Sequence, residues 1–296
     1  MITPLITPSG LIQALIWGVA TGCIYILLAT GLNLIFGVMK LVNFAHGQLL
    51  MVGAFVAYQA TTIIGLNPYA SIVVSMGIVA FIGILLEKFA FRRVRGTEKL
   101  NEIFVSLGLI YVFQNVASLL WVENYNIRIP SPLSSLSLTF GEVTLSYDRI
   151  LAIFVVVVII AGLVLLTKKT KIGLAMRATS QKSDAAKLMG IDINRIYVFT
   201  FAVGAALAGA AGAIYGILFP FNPTIGALPT IKAFAIIILG GLGSIPGAVA
   251  GGLLYGIAEN MTGYLSNGTW QDAVAFALLI VVLVIRPTGL FGEKGE

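Results

Sequence analysis

Apolar residues run along this chain in blocks rather than in alternation. Nine blocks of 15 to 26 residues stand out, at 11–36, 47–65, 69–91, 102–121, 149–166, 196–219, 229–243, 246–264 and 271–286. A helix needs about 20 apolar residues to cross a hydrocarbon core of ~30 Å, and most of these blocks approach or exceed that length. Lipid offers no partner to backbone polar groups, so each span is expected as a helix. The pattern predicts an all-α polytopic membrane protein, a single transmembrane domain over 1–296 with about eight to nine transmembrane helices and glycine-broken segments. The block at 229–243 is the shortest. Its apolar core, AFAIIIL, runs into Gly240, Gly241 and Gly243, so it reads as a full span, a half-helix or a re-entrant segment.

Polar interruptions mark the candidate chemistry. The stretch GLNLIFGVMKLVNFAHGQLLMVGAF, 31–55, sets Asn33, Asn43, His46 and Gln48 among four glycines. A helix broken at membrane depth is tolerated only inside protein or beside a water-filled cavity. These four residues are therefore candidates for a pathway or gate; a short surface turn marked by Lys40 is the other reading. His46 is the only histidine and is expected to serve a structural hydrogen bond. The stretch ILGGLGSIPGAVAGGLLYGIAEN, 238–260, is broken in the same manner, and paired interrupted segments point to a transport route. Its Glu259 and Asn260 join the pathway or subunit-contact candidates, because a carboxylate inside the membrane is costly. Small residues crowd AVGAALAGAAGAIYG and PGAVAGGLLYG, which predicts that these two helices pack deep in the bundle. The uniformly bulky ILAIFVVVVIIAGLVLL is expected at its periphery.

Composition and charge sharpen this picture. The chain is 58% hydrophobic and 10% charged, with a mean hydropathy of +1.01; a soluble domain carries about 25% charged residues. The net charge of +6 then reads as loops facing anionic lipid, not as a nucleic-acid footprint. Fifteen Lys and Arg fall in one set of loops and only Arg128, Arg149 and Lys232 in the other. By the positive-inside rule the N-terminus lies outside, the C-terminus and the 167–195 loop lie in the cytoplasm, and the polar 122–147 loop is extracytoplasmic. The first ten residues hold no Lys or Arg, so the first span is expected to remain rather than be cleaved as a signal. Trp17, Trp121 and Trp270 fall near expected outer ends, where indole rings favour the interface, although local packing explains each equally well. Cys23 is the only cysteine, which gives no disulfide and no thiolate metal site.

The 167–195 loop, TKKTKIGLAMRATSQKSDAAKLMGIDINR, holds nine of the thirty charged residues. Ser180 or Ser183 suits a helix start, Asp184 its positive end, Lys187 its last turn, and Gly190 the left-handed position beyond it. A helix over about 181–189 is expected. So short a helix is unstable in water and must dock on something, either a partner or its own bundle.

At this point the motifs resemble a known family. GLNLIFGVMKLVNFAHGQLLMVGAF, MRATSQKSDAAKLMGI, GGLGSIPGAVAGGLLYGIAEN and RPTGLFG, in that order and over essentially the whole chain, resemble permease subunits of bacterial branched-chain amino acid ABC importers of the LivH type. The resemblance implies pairing with a second related permease or with itself, two ATP-binding subunits in the cytoplasm and a soluble binding protein outside. It further implies that Ser183, Asp184, Ala185, Ala186, Lys187, Leu188 and Gly190 form the coupling contact to an ATPase. It places the chain in the cytoplasmic membrane of a bacterium or archaeon.

The chain has no G-x-x-x-x-G-K-[ST], so nucleotide is not cradled here by that route. No cofactor is expected in this chain; ATP and magnesium are expected on the partner ATPases, and no catalytic residue is assigned. A permease for urea or short amides is the alternative within the family. A gradient-driven carrier is the alternative outside it, weakened by the small number of intramembrane carboxylates.

Overall fold

The structure, a computed structural model, describes residues 7–121, 126–266, 268, 270–286 and 288–292. Each of the nine apolar blocks has its helix. They are α1 (Pro8–Met39), α2 (His46–Thr62), α3 (Pro68–Leu86), α5 (Lys99–Leu120), α6 (Tyr147–Lys169), α9 (Ile193–Leu218), α10 (Ala227–Gly240), α11 (Ile245–Leu265) and α12 (Gln271–Ile285). A π turn, Glu87–Phe91, extends α3 into a last α turn, α4 (Arg92–Val94). Among the described residues five helices are long and apolar enough to cross a bilayer, or six if the bent pair α10–α11 is taken as one span. With 17 residues, α2 falls short of a full span, and so does α12 with 15.

Small residues decide what lies at the centre. Dispersion at close approach must hold helices together in lipid, where the hydrophobic effect gives no drive. Accordingly α1 and the small-residue helix α9 are the most enclosed spans, 61% and 78% buried along their apolar windows. The backbones of α1 and α11 meet at Gly22 and Gly256. The bulky helix α6 is peripheral as expected, and α5 is more so, only 11% buried.

Two elements were not legible in the hydrophobic pattern. The first is a hairpin, β1 (Ser137–Phe140) and β2 (Val143–Ser146), paired antiparallel with Ser137 opposite Ser146. Gly141, at φ +63°, opens its turn. The hairpin is stitched to the start of α1: Gln13 Nε2 donates to Thr144 O and Thr144 N donates to Gln13 Oε1, both at 2.7 Å. The same loop is tied to α9 and its exit, since Ile127 and Phe221 exchange backbone hydrogen bonds and Ile129 N donates to Gly216 O. Trp121 stacks on Phe55 with ring centroids 4.2 Å apart, and Trp17 carries the Arg149 guanidinium 4.1 Å above its ring.

The second unexpected element is α7 (Lys171–Gln181), capped by Thr170 Oγ1, which accepts from Gly173 N at 3.0 Å. The short helix expected at 181–189 follows as α8 (Ser183–Leu188). The serine cap is corrected: Lys182 occupies the N-cap with no side-chain bond. Ser180 lies inside α7, where its hydroxyl donates to Arg177 O. The extended link between α7 and α8 is one residue long, which leaves no room for a serine cap of the expected kind.

Basic side chains sort to the end of the bundle that carries α7 and α8. There Glu87, fully buried, accepts from Arg92 at 2.9 Å and Arg95 at 3.2 Å. Arg95 also bonds Asn194 at 2.5 Å and lies 4.3 Å from the Tyr197 ring centre. Four strongly polar groups thus brace the π turn against the start of α9. Lys294 of the basic count lies outside the described residues.

Candidate functional site

The break after α1 is buried. Leu41, Asn43, Ala45, His46 and Gln48 have no accessible surface, whereas Lys40 at the mouth of the break is exposed. The segment 40–45 runs without helical structure back into the bundle. A side chain built on Gly31 would meet His46 Nε2, so α2 begins at the depth of Gly31, about two turns up from the end of α1. The surface-turn reading is thereby set aside. Non-helical backbone at this depth is tolerated because protein surrounds it. Asn43 Oδ1 accepts from Ala45 N at 3.0 Å and tightens the turn into α2.

The partner of this break is the start of α10. Gly47 N donates to Thr230 Oγ1 at 3.1 Å. Gly47 and Gly226 touch backbone to backbone, and a Cβ on either would collide with the carbonyl oxygen of the other. Two helix starts, α2 and α10, therefore meet inside the bundle. Gln48 lies against Gly226, and both its amide atoms and both ring nitrogens of His46 have no hydrogen-bond partner among the described residues.

The second broken segment closes on α1 instead. Asn33 Nδ2 donates to Ser244 O at 2.8 Å, and Gly243 N donates to Asn33 Oδ1 at 2.7 Å. One amide thus clamps the turn between α10 and α11, which meet at 120°. With 14 residues, α10 is about 21 Å long and cannot cross the core unaided. Asn33, Lys40, Lys168, Arg177, Ser244 and Phe291 line a cavity of about 750 Å³ beside this turn, with α7 as one wall.

Towards the hairpin end lies an ion cluster. Lys232 of α10 reaches Glu259 Oε1 of α11 at 2.6 Å and Asp272 Oδ1 of α12 at 2.8 Å. Its ammonium also donates to Tyr25 OH at 3.3 Å, and Gln271 donates to Glu259 Oε1 at 3.3 Å. The side chains of Lys232 and Glu259 are 5% and 6% exposed, against 50% for Asp272. Among the described residues Asn260 bonds back along its own helix, to Gly256 O at 3.0 Å. Sequence reasoning found Glu259 but not its partner, because the two residues are 27 positions apart and share no motif.

The coupling candidates sit on α8 with two faces. Ala186 is buried, 4% exposed, while Leu188 and Met189 stand 89% and 83% exposed. Asp184, Ala185 and Lys187 are exposed too, and Ser183 is half-buried. Gly190 has φ +83°, as the sequence implies. Gly190 N donates to Lys187 O and Ile191 N to Ala186 O, the paired bonds of a Schellman cap. Large apolar side chains held at the tip of a short helix capped at its C-terminal end form a presented surface. Among the described residues no group of three His, Cys, Asp or Glu side chains is placed to hold a metal ion.

A central helix clasped by glycine-broken segments, two helix starts meeting at depth and a presented helix at the basic end define a polytopic membrane permease. The chain belongs to the family described as branched-chain amino acid transport system / permease component, whose model matches residues 14–283. It is 36% identical to the high-affinity branched-chain amino acid transport system permease BraD of Pseudomonas aeruginosa, over 95% of this chain and 96% of that one. It is 32% identical to the corresponding permease LivH of Escherichia coli, again over 95% and 96%. The ribose import permease RbsC of Haemophilus influenzae is 32% identical across only 43% of this chain and 42% of its own.

Proposed function

We propose that this chain is one permease subunit of an ATP-driven importer and forms part of the route by which branched-chain amino acids cross the cytoplasmic membrane. The observation that carries the reading is similarity along 95% of the chain to two permeases whose names specify that transport. The sugar permease matches less than half as much. The basic α7–α8 end faces the cytoplasm, which puts the N-terminus and hairpin outside. Leu188 and Met189 enter a groove on an ATP-binding subunit, and Ala186 holds α8 on its own bundle. ATP and magnesium belong to that partner. A second permease, this chain or a sister, completes the route, and a soluble binding protein delivers substrate to the hairpin end.

The pathway residues fall into two sets. Asn43, His46 and Gln48 line the meeting of α2 and α10, while Asn33 holds the turn at the cytoplasmic cavity. A movement of α8 reaches that cavity through α7, its wall. A gradient-driven carrier finds less support, because the permeases similar along 95% of the chain are named for high-affinity branched-chain amino acid transport systems.

The test is mild-detergent purification of the tagged permease from its native membranes, followed by reconstitution with the chains that accompany it. Co-purifying ATP-binding subunits and ATP-dependent uptake of labelled leucine are expected. A permease that arrives alone and moves solute in vesicles without ATP would overturn the proposal.

A further inference from the structure

The ion cluster towards the hairpin end has the make-up of an ammonium-binding site. Two carboxylates, Glu259 and Asp272, and the Tyr25 hydroxyl converge on a single cation, the Lys232 ammonium, which donates to that hydroxyl at 3.3 Å from beyond the edge of the ring. Carboxylates together with a hydroxyl acceptor are a chemistry by which proteins hold ammonium groups. Counting the lysine, the cluster has a formal charge of −1, and Glu259 Oε2 is buried with no donor among the described residues. The Tyr255 hydroxyl, one turn earlier on α11, is also buried and unpartnered. A buried carboxylate oxygen without a donor is costly, so the cluster has acceptor capacity beyond the one lysine. Glu259 lies six residues before the end of α11, about 9 Å in, and half-exposed Asp272 opens the cluster towards that end.

We propose that this cluster is a subsite for the α-ammonium group of an amino acid entering the permease, and that Lys232 occupies it as a tethered stand-in until substrate takes its place. The proposal rests on the amino acid reading given above. Exchange of one ammonium for another conserves the ion pairs, so Lys232 can leave without abandoning two carboxylates in the membrane. It also connects substrate to α10, because Thr230, two residues before Lys232, holds the first turn of α2. Displacing the lysine thus frees the helix whose start meets the polar break at Asn43, His46 and Gln48.

A purely structural ion pair and an ammonium subsite predict opposite orders for two variants of the reconstituted complex. Lys232→Met keeps both carboxylates. Lys232→Met/Glu259→Gln removes charge from both partners and leaves no unpaired lysine. For a subsite, ATP-dependent leucine uptake by Lys232→Met exceeds that of the double variant by about tenfold, the cost of one charge-assisted contact. For a structural pair, the double variant transports at least as well as Lys232→Met, because an isosteric neutral pair replaces a buried ion pair at little cost. That order would overturn the proposal. Lys232→Met strands the buried Glu259 carboxylate, so the single variant is expected to melt below the double one, and uptake is compared per amount of folded complex. Single-variant uptake that does not exceed the double variant's on that basis makes the cluster a structural tie, and the proposal fails. If the parent complex imports no amino acid at all, the amino acid reading itself fails; a reversed order with active parent sinks the subsite alone.

Discussion

Asn33 shows how much one side chain can carry when it lies inside a membrane protein. Its amide satisfies the carbonyl of Ser244 and the N–H of Gly243 at once. Asn33→Leu keeps the volume but strands two backbone groups, each costing about 1–3 kcal/mol. A clear fall in the melting temperature of the purified permease is expected, and an unchanged melt would show that the clamp is dispensable. On α8 the two faces separate docking from folding. Leu188→Asp should abolish co-purification of the ATP-binding subunits while the permease stays inserted and as heat-stable as the parent. Ala186→Glu, by contrast, puts a charge where the side chain is 4% exposed and should lower the stability of the permease itself. Gly190→Val forces a branched side chain into φ +83°, at about 1–2 kcal/mol; uptake and melting temperature should both drop.

Among elements, the meeting of α2 and α10 is the most constrained. Gly47→Ala would drive a methyl group into Gly226 O and Thr230 Oγ1, and overpacking of this kind costs about 1–3 kcal/mol. Loss of monodisperse protein after mild heating is the expected readout. The long helices were legible in the sequence because an apolar block of membrane length has few other structures open to it. The burial of α9 was legible from its small residues. Other features were not. The helix α7 is too polar to register as a block, and its one clear signal is Thr170 three residues before Gly173. The hairpin is marked only by the alternation on either side of Gly141. The broken stretch at 238–260 does meet the first one, through Asn33, but the pairing of 40–48 with 226–230 was missed, since no polar interruption of that kind marks 226–230. Of the candidate site, residue identities were readable and partners were not, since Lys232, Ser244 and Thr230 lie 27 to 211 positions from the groups they hold.

The whole molecule is built around a helix that is made first and completed last. Its amide clamp closes only on residues 243–244, 210 and 211 positions later, and its glycine face waits equally long for α11. At about 5–20 residues per second of synthesis, α1 spends roughly ten to forty seconds in the membrane before its permanent neighbour is translated. Through that interval its polar Asn33 must be borne by some temporary companion, such as an insertion chaperone or a lipid headgroup drawn inwards. A nascent chain halted before α11 should therefore be held by the insertion machinery or destroyed by membrane proteases, and one halted just after it should escape both. Pulse-labelled truncations ending at 240 and at 270 would read this as a difference in half-life. For this permease, quality control is expected to amount to a test of whether α11 has been delivered.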